Sequence, residues 1–264
     1  MILDGLLWIV ARAFPKVAHR PWLDVPTGEG PIGPEWPRRW AAARGSTLAR
    51  DPEGGLIRDL SSLARAERID PRIRTFYEHT ARYPMRVEPR WRAGFGWAGR
   101  AWVSVFARRW GQFNLPTSAD APLSNEIYAS GPPDPCQWWV RRYPDDRALY
   151  VSRYDVVSVD GEPDPCVRIT FPVPGGAWVV LFRVALDGST LVLTEDGGMS
   201  GGPGLYLVPR GGTARYVASF REEIRVLTTE TGCRAEHRMW FFGLRVVTLA
   251  YDLGSGTSDR GTAK

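Results

Sequence analysis

CVRITF (166–171), AWVVLFRVALDG (177–188), STLVLTEDG (189–197), LYLVP (205–209) and REEIRVLTTETGCRAEHRMWFFGLRVVTLAYDL (221–253) follow one another in the last third of the chain. Each run is rich in β-branched and aromatic residues and is bounded by Gly, Asp or Pro, the pattern of consecutive antiparallel strands. Asp187-Gly188 lies between two apolar runs, and both residue types tolerate positive φ, so a tight hairpin turn is expected there. In that register Val184 opposes Leu191, Phe182 opposes Leu193 and Val180 opposes Glu195. Because strand side chains alternate faces, Glu195 shares a face with Val180, Phe182, Leu193 and, just beyond, Trp178. An acid ending an apolar stripe is either a buried group with a raised pKa or a strand end reaching solvent, and the second is the commoner case.

A second turn is expected at Thr231-Gly232. It sets Val226 opposite His237, Ile224 opposite Met239 and Glu222 opposite Phe241. One face of this hairpin then carries Glu222, Ile224, Val226, His237, Met239 and Phe241. In this register Glu222 stands four positions from the partner of His237, roughly 13 Å at the usual rise, so the two do not form an acid–base dyad. Val179, Leu181 and Ala185 are apolar on the opposite face of their strand, which implies cover outside the sheet. Many short antiparallel strands in succession imply a strongly curved sheet or a barrel.

The rest of the 264 residues is less regular. Leu3, Leu6, Leu7, Val10 and Phe14 recur at helical spacing over residues 2–14. Residues 15–55 are rich in proline and glycine, with Trp22, Trp36 and Trp40 as anchors. Asp70-Pro71 reads as a cap and first position of a helix ending before Pro84, and MRVEPRW (85–91) as a short strand. A second amphipathic helix is expected over residues 97–113, stopping near Gln112. Its tryptophans and arginines suit either a cover over a sheet or a membrane interface. Three regions follow: irregular and helical 1–118, β-rich 119–253 and a disordered tail 254–264. The fold class expected is α+β, mainly β, with the N-terminal half packed on an antiparallel lipocalin/calycin-like barrel.

Residues 1–118 carry nineteen Lys and Arg against eleven Asp and Glu, a balance of +8, and residues 119–264 carry fifteen against eighteen, −3. There is no dense basic run and no nucleic-acid motif, which argues against nucleic acid as a partner. Cys136, Cys166 and Cys233 have no metal-like spacing, His19, His79 and His237 are scattered, and no metal or cofactor is expected. An odd, low cysteine count fits a reducing cytoplasm. No apolar run reaches about 18 residues, so no ordinary transmembrane helix is expected. Pro-Asp-Pro-Cys occurs at 133–136 and again at 163–166, each time before a strand. Gly198-Met199-Ser200-Gly201-Gly202 matches the serine-hydrolase elbow, but strand-like sequence follows where that motif needs a helix.

Ile69-Asp70-Pro71, Phe76-Tyr77-Glu78-His79-Thr80, Gln112-Phe113-Asn114-Leu115-Pro116, Cys166 to Pro172 and His237 to Leu244 together resemble an uncharacterised family of actinobacterial proteins. The resemblance spans roughly residues 69–253. It implies helices followed by a β-rich half ending in a long hairpin, and no activity or site residue.

An aromatic-lined barrel implies a hydrophobic small-molecule or lipid-like ligand. The expected walls are Trp178, Phe182, Leu193, Ile224, Met239 and Phe241, with Glu195 and His237 as polar handles. The alternatives are an enzyme, such as an isomerase or cyclase using Glu195 or His237 as acid or base, and a peripheral membrane protein using residues 2–14 and 97–113.

Overall fold

The computed structural model describes residues 8–63, 65–116, 121–130, 137–196 and 200–254. Residues 8–11 are helical and residues 12–14 form a turn, so the helix expected over 2–14 stops three residues short of its expected end. Residues 2–7 lie outside the described residues, as do Cys136, Gly198, Met199 and the tail beyond 254. Helix α1 (Trp36–Ala42) precedes the two-residue strand β1 (Ala49–Arg50). Helix α2 (Pro71–Glu78) is capped as expected, with the Asp70 carboxylate accepting from Arg72 N–H at 2.9 Å. Strand β2 (Met85–Trp91) follows.

Helix α3 starts as α over Gly96–Trp102, widens to π over Val103–Ala107 and closes as α over Arg108–Trp110. It ends two residues earlier than expected, because Gly111 takes the left-handed conformation (φ 74°) that stops helices. The wide turn also has a packing role. Trp102, Phe106 and Trp110 are four residues apart, a row that creeps around a pure α-helix but stays on one face when a π stretch intervenes. Their rings are in contact, 5.0 Å and 5.7 Å between successive centroids.

The remaining strands are β3 (Ala121–Ala129), β4 (Gln137–Arg142), β5 (Ala148–Val157), β6 (Cys166–Val173), β7 (Gly176–Asp187), β8 (Thr190–Thr194), β9 (Gly204–Pro209), β10 (Arg215–Tyr216), β11 (Phe220–Thr229), β12 (Gly232–Phe241) and β13 (Leu244–Asp252). Nine of these and β2 close into a ten-stranded antiparallel barrel in the order β7-β6-β5-β4-β3-β2-β13-β12-β11-β8 and back to β7. That is two strands more than a lipocalin barrel. Strand β2 is a full stave between β3 and β13, so the barrel draws on sequence before residue 119.

The long strand β7 makes the closure. Its second half pairs with β8, while its first half pairs on the same edge with β9, which carries β10 outward. Its outer face does need cover, as the apolar Val179 and Leu181 implied. Val17, Trp22 and Leu23 of the proline-rich segment supply it, together with Tyr206 of β9. Trp36 and Trp40 of α1 similarly cover Trp138 and Val140 of β4. Bulky apolar residues thus sit on both faces of several staves, the reason these strands read as near-continuous hydrophobic runs.

Both hairpin registers differ from expectation by two residues. Leu186 pairs with Leu191, not Ser189, and Val226 pairs with Ala235, not His237. Each turn slides by one residue, to Gly188-Ser189 and to Glu230-Thr231. A one-residue slide of the turn shifts pairing by two, so every side chain keeps its face while its neighbours change.

Candidate functional site

Inside the barrel, on the end covered by α3, lies a chamber of about 640 Å³. Strands β6, β7, β11, β12 and β13 contribute Phe171, Trp178, Val180, Phe220, Met239 and Val247, and Trp91 of β2 and Trp102 of α3 close over them. Phe113 reaches in from the segment after α3. Its backbone is left-handed (φ 61°), a strained choice for phenylalanine. Neighbouring amides hold it there: Phe113 N–H donates to the Leu149 carbonyl at 2.8 Å and Asn114 Nδ2 to the Ala148 carbonyl at 2.7 Å. The Phe113 ring lies 4.9 Å from that of Trp178 and 5.4 Å from that of Phe171.

The acid and the imidazole in this wall are Glu222 and His237. The structure corrects the expectation that they stand apart. His237 pairs with Ile224, so Glu222 is only two positions away on the same face. His237 Nε2 is 2.6 Å from Glu222 Oε2, and both residues are buried. Diagonal pairs of this kind are within reach of long side chains across a ladder. Nδ1 of His237 has no protein partner among the described residues.

Glu222 and His237 also border a smaller inner cavity of about 40 Å³, with Arg141, Tyr154 and Tyr251 opposite them and Phe76 of α2 among its walls. That volume suits a small cluster of waters or a small polar head group. Arg141 is 4% exposed, its guanidinium 3.7 Å from the Trp139 ring and 4.4 Å from the Tyr150 ring. No carboxylate of the described residues is within ion-pair distance of it, and its Nε has no partner. The Tyr251 hydroxyl is also unpartnered, and burial pushes its pKa up to about 12 against the pull of Arg141. The barrel interior is therefore divided, with an apolar chamber toward α3, a polar pole toward α2, and the Glu222–His237 pair between them.

Of the residues singled out from sequence, Trp178, His237, Met239 and Phe241 line the chamber and Ile224 lines the inner cavity. Phe182 and Leu193 are buried core that borders neither. Sequence reasoning missed Arg141, which shares a strand with the core residues Trp138, Trp139 and Val140 and reads in sequence like a surface arginine. It also rejected Glu222 on a register two residues out.

Glu195 does not reach the chamber. It lies just past β8 at the seam where β7 passes from β8 to β9, and it is 7% exposed. The backbone N–H of Glu222 donates to its carboxylate, but Oε1 has no partner. Burial first, and the Glu222 charge second, hold its pKa well above the ordinary 4.5. Folding then retains a proton that the unfolded chain loses, so stability falls as pH rises above about 4.5. Replacing Glu195 by glutamine removes that dependence. The variant is expected to melt within a degree or so of wild type at pH 4.5 and about 3 °C or more above it at pH 8. Equal melting temperatures across the range would mean that Glu195 is ionised in the folded protein.

No family model matches the chain, and no solved structure matches it. Among curated proteins, the chain is similar to Uncharacterized membrane protein YndJ of Bacillus subtilis (strain 168), 26% identical over 213 residues. The similarity covers 75% of this chain and 38% of that protein, so the chain corresponds to a part of its relative. Among the described residues, no helix is long and apolar enough to cross a membrane, and no group of three or more His, Cys, Asp or Glu side chains is placed to hold a metal ion.

Proposed function

We propose that the barrel binds a hydrophobic, lipid-like small molecule, with its apolar body in the α3 chamber and its polar end at the Glu222–His237 pair. The observation that carries this reading is the chamber itself. A space of about 640 Å³ walled almost entirely by aromatic and aliphatic side chains, with one hydrogen-bonded polar pair in its wall, is what a specific site for an amphipathic ligand requires. A core with no ligand would be filled by its own side chains to crystal-like density. The two described cysteines, Cys166 and Cys233, are buried free thiols, and a cytoplasmic setting fits them.

Native and denaturing mass spectrometry of the full chain tests the proposal. An adduct present in the native spectrum and lost on denaturation is expected. An unliganded mass, together with no binding of long-chain alcohols or fatty acids at micromolar concentration, would overturn it.

A second reading rests on the orientation of His237. A carboxylate hydrogen-bonded to Nε2 fixes the orientation and tautomer of the ring and leaves Nδ1 free, the arrangement of a general base. In an apolar chamber such a base suits proton transfer within a bound ligand, as in an isomerisation. Uptake of solvent deuterium into the bound molecule, lost in His237→Gln, is its test.

A further inference from the structure

The turn between β12 and β13 is Phe242-Gly243, with φ of 49° and 75°. A two-residue turn with both φ positive favours Asn or Asp followed by Gly. Phenylalanine at the first position is strained, and here it is 74% exposed. Asparagine would satisfy both the backbone and solvent, so folding alone gives no reason for the ring. It is also not isolated. Phe241 lies 4.6 Å away between ring centroids, and Phe241, Leu244 and Trp97 are 45%, 48% and 66% exposed. Phe241 and Trp97 both line the chamber, so this apolar patch is the rim of its mouth.

The unpaired charge around the rim is positive. Arg92 and Arg245 line a recess that shares Trp91 and Val247 with the chamber, and neither has a carboxylate partner among the described residues. They are tied to the hairpin itself: Arg245 follows Leu244, and Arg92 N–H donates to the Val246 carbonyl at 3.0 Å. Arg100, exposed on α3 beside Gly96, is likewise without an ion pair. The acid in the recess, Glu236, is already paired with Arg238 at 2.6 Å.

We infer that this rim docks on an anionic lipid bilayer, with Phe242, Leu244 and Trp97 entering the interface and Arg92, Arg245 and Arg100 meeting phosphate head groups. Exposed aromatics ringed by unpaired arginines are the composition that holds proteins at such an interface. The placement at the mouth has a consequence: the chamber opens toward the bilayer, and a lipid-like molecule passes between them without crossing water. The surface argument stands without that step, so an empty chamber leaves it intact.

Flotation of the full chain with phosphatidylcholine vesicles, with and without phosphatidylglycerol, tests the inference. Wild type is expected to float with the anionic vesicles and to be released by high salt, since surface charge is screened. Phe242→Asp/Leu244→Asp, at exposed positions that leave the melting temperature unchanged, is expected to reduce the bound fraction at least tenfold. Arg92→Glu/Arg245→Glu is expected to remove the preference for phosphatidylglycerol. Wild type that stays with neither vesicle would overturn the inference. So would an aspartate variant that floats as well as wild type, which would point to the N-terminal stretch instead. A wild-type dimer in solution that the aspartate variant converts to monomer would also overturn it, making the rim a contact between copies.

Discussion

His237→Leu is expected to destabilise the protein by about 3 kcal/mol, because it leaves the Glu222 carboxylate inside the barrel without its hydrogen-bond partner. For a chain of this length that corresponds to a fall in melting temperature of about 6 to 12 °C. Glu222→Leu/His237→Leu is expected to recover most of the loss, since a pair of apolar side chains of similar size suits the chamber wall and no charge is left stranded. Chemical denaturation of the two single variants and the double variant gives the coupling directly. If the double variant loses the sum of the two single losses, the 2.6 Å contact makes no energetic difference and the pair is not a unit. The double variant also separates the two functional readings. It keeps the apolar chamber, so it should still hold an apolar molecule, but it has no base and should catalyse no proton exchange.

Trp178→Ala is expected to weaken ligand binding by about 100-fold, the loss typical of a buried aromatic anchor. Its ring touches Phe113, Trp102 and Trp110 at centroid distances of 4.9, 6.1 and 6.2 Å, so it links the barrel wall to both covering elements. Removing it also leaves a void, and a stability loss of about 3 kcal/mol is expected from the cavity alone. Titration with 1-anilinonaphthalene-8-sulfonate reads the first effect, and thermal melting reads the second. Trp178→Phe keeps most of the packing and should show a small fraction of each loss. Unchanged dye affinity in a folded Trp178→Ala protein would mean that the dye, and by extension the natural ligand, binds elsewhere.

How much of this was legible depends on the range over which each signal acts. The cap at Asp70, the proline that follows it and the apolar alternation in β11 and β12 are local, and each led to the right element. The inward face of the last hairpin was also correct: Glu222, Ile224, His237, Met239 and Phe241 do share a face, and face depends only on parity along the strand. The chamber walls contributed by Trp178, Met239 and Phe241 follow from that parity. What failed was register. The expected turns used the residues with the best turn chemistry, Asp187-Gly188 and Thr231-Gly232. Packing across ten strands moved each turn by one position. A turn preference spans about 1 kcal/mol or less, while matching two buried strand faces along their length is worth several times that.

The amino-acid order alone determined that this chain makes an antiparallel, aromatic-rich β half with helical cover, because periodicity and turn residues act within a few positions of each other. Tertiary structure decided the rest. It recruited β2 into the barrel and placed Arg141 at an internal pole. It also brought Glu222 within hydrogen-bond distance of His237 and set Phe242 at the rim of the chamber rather than in a core. Each of these depends on which strands close the ring and in what register, and closure is a property of the summed packing of distant segments, which no local window of sequence contains.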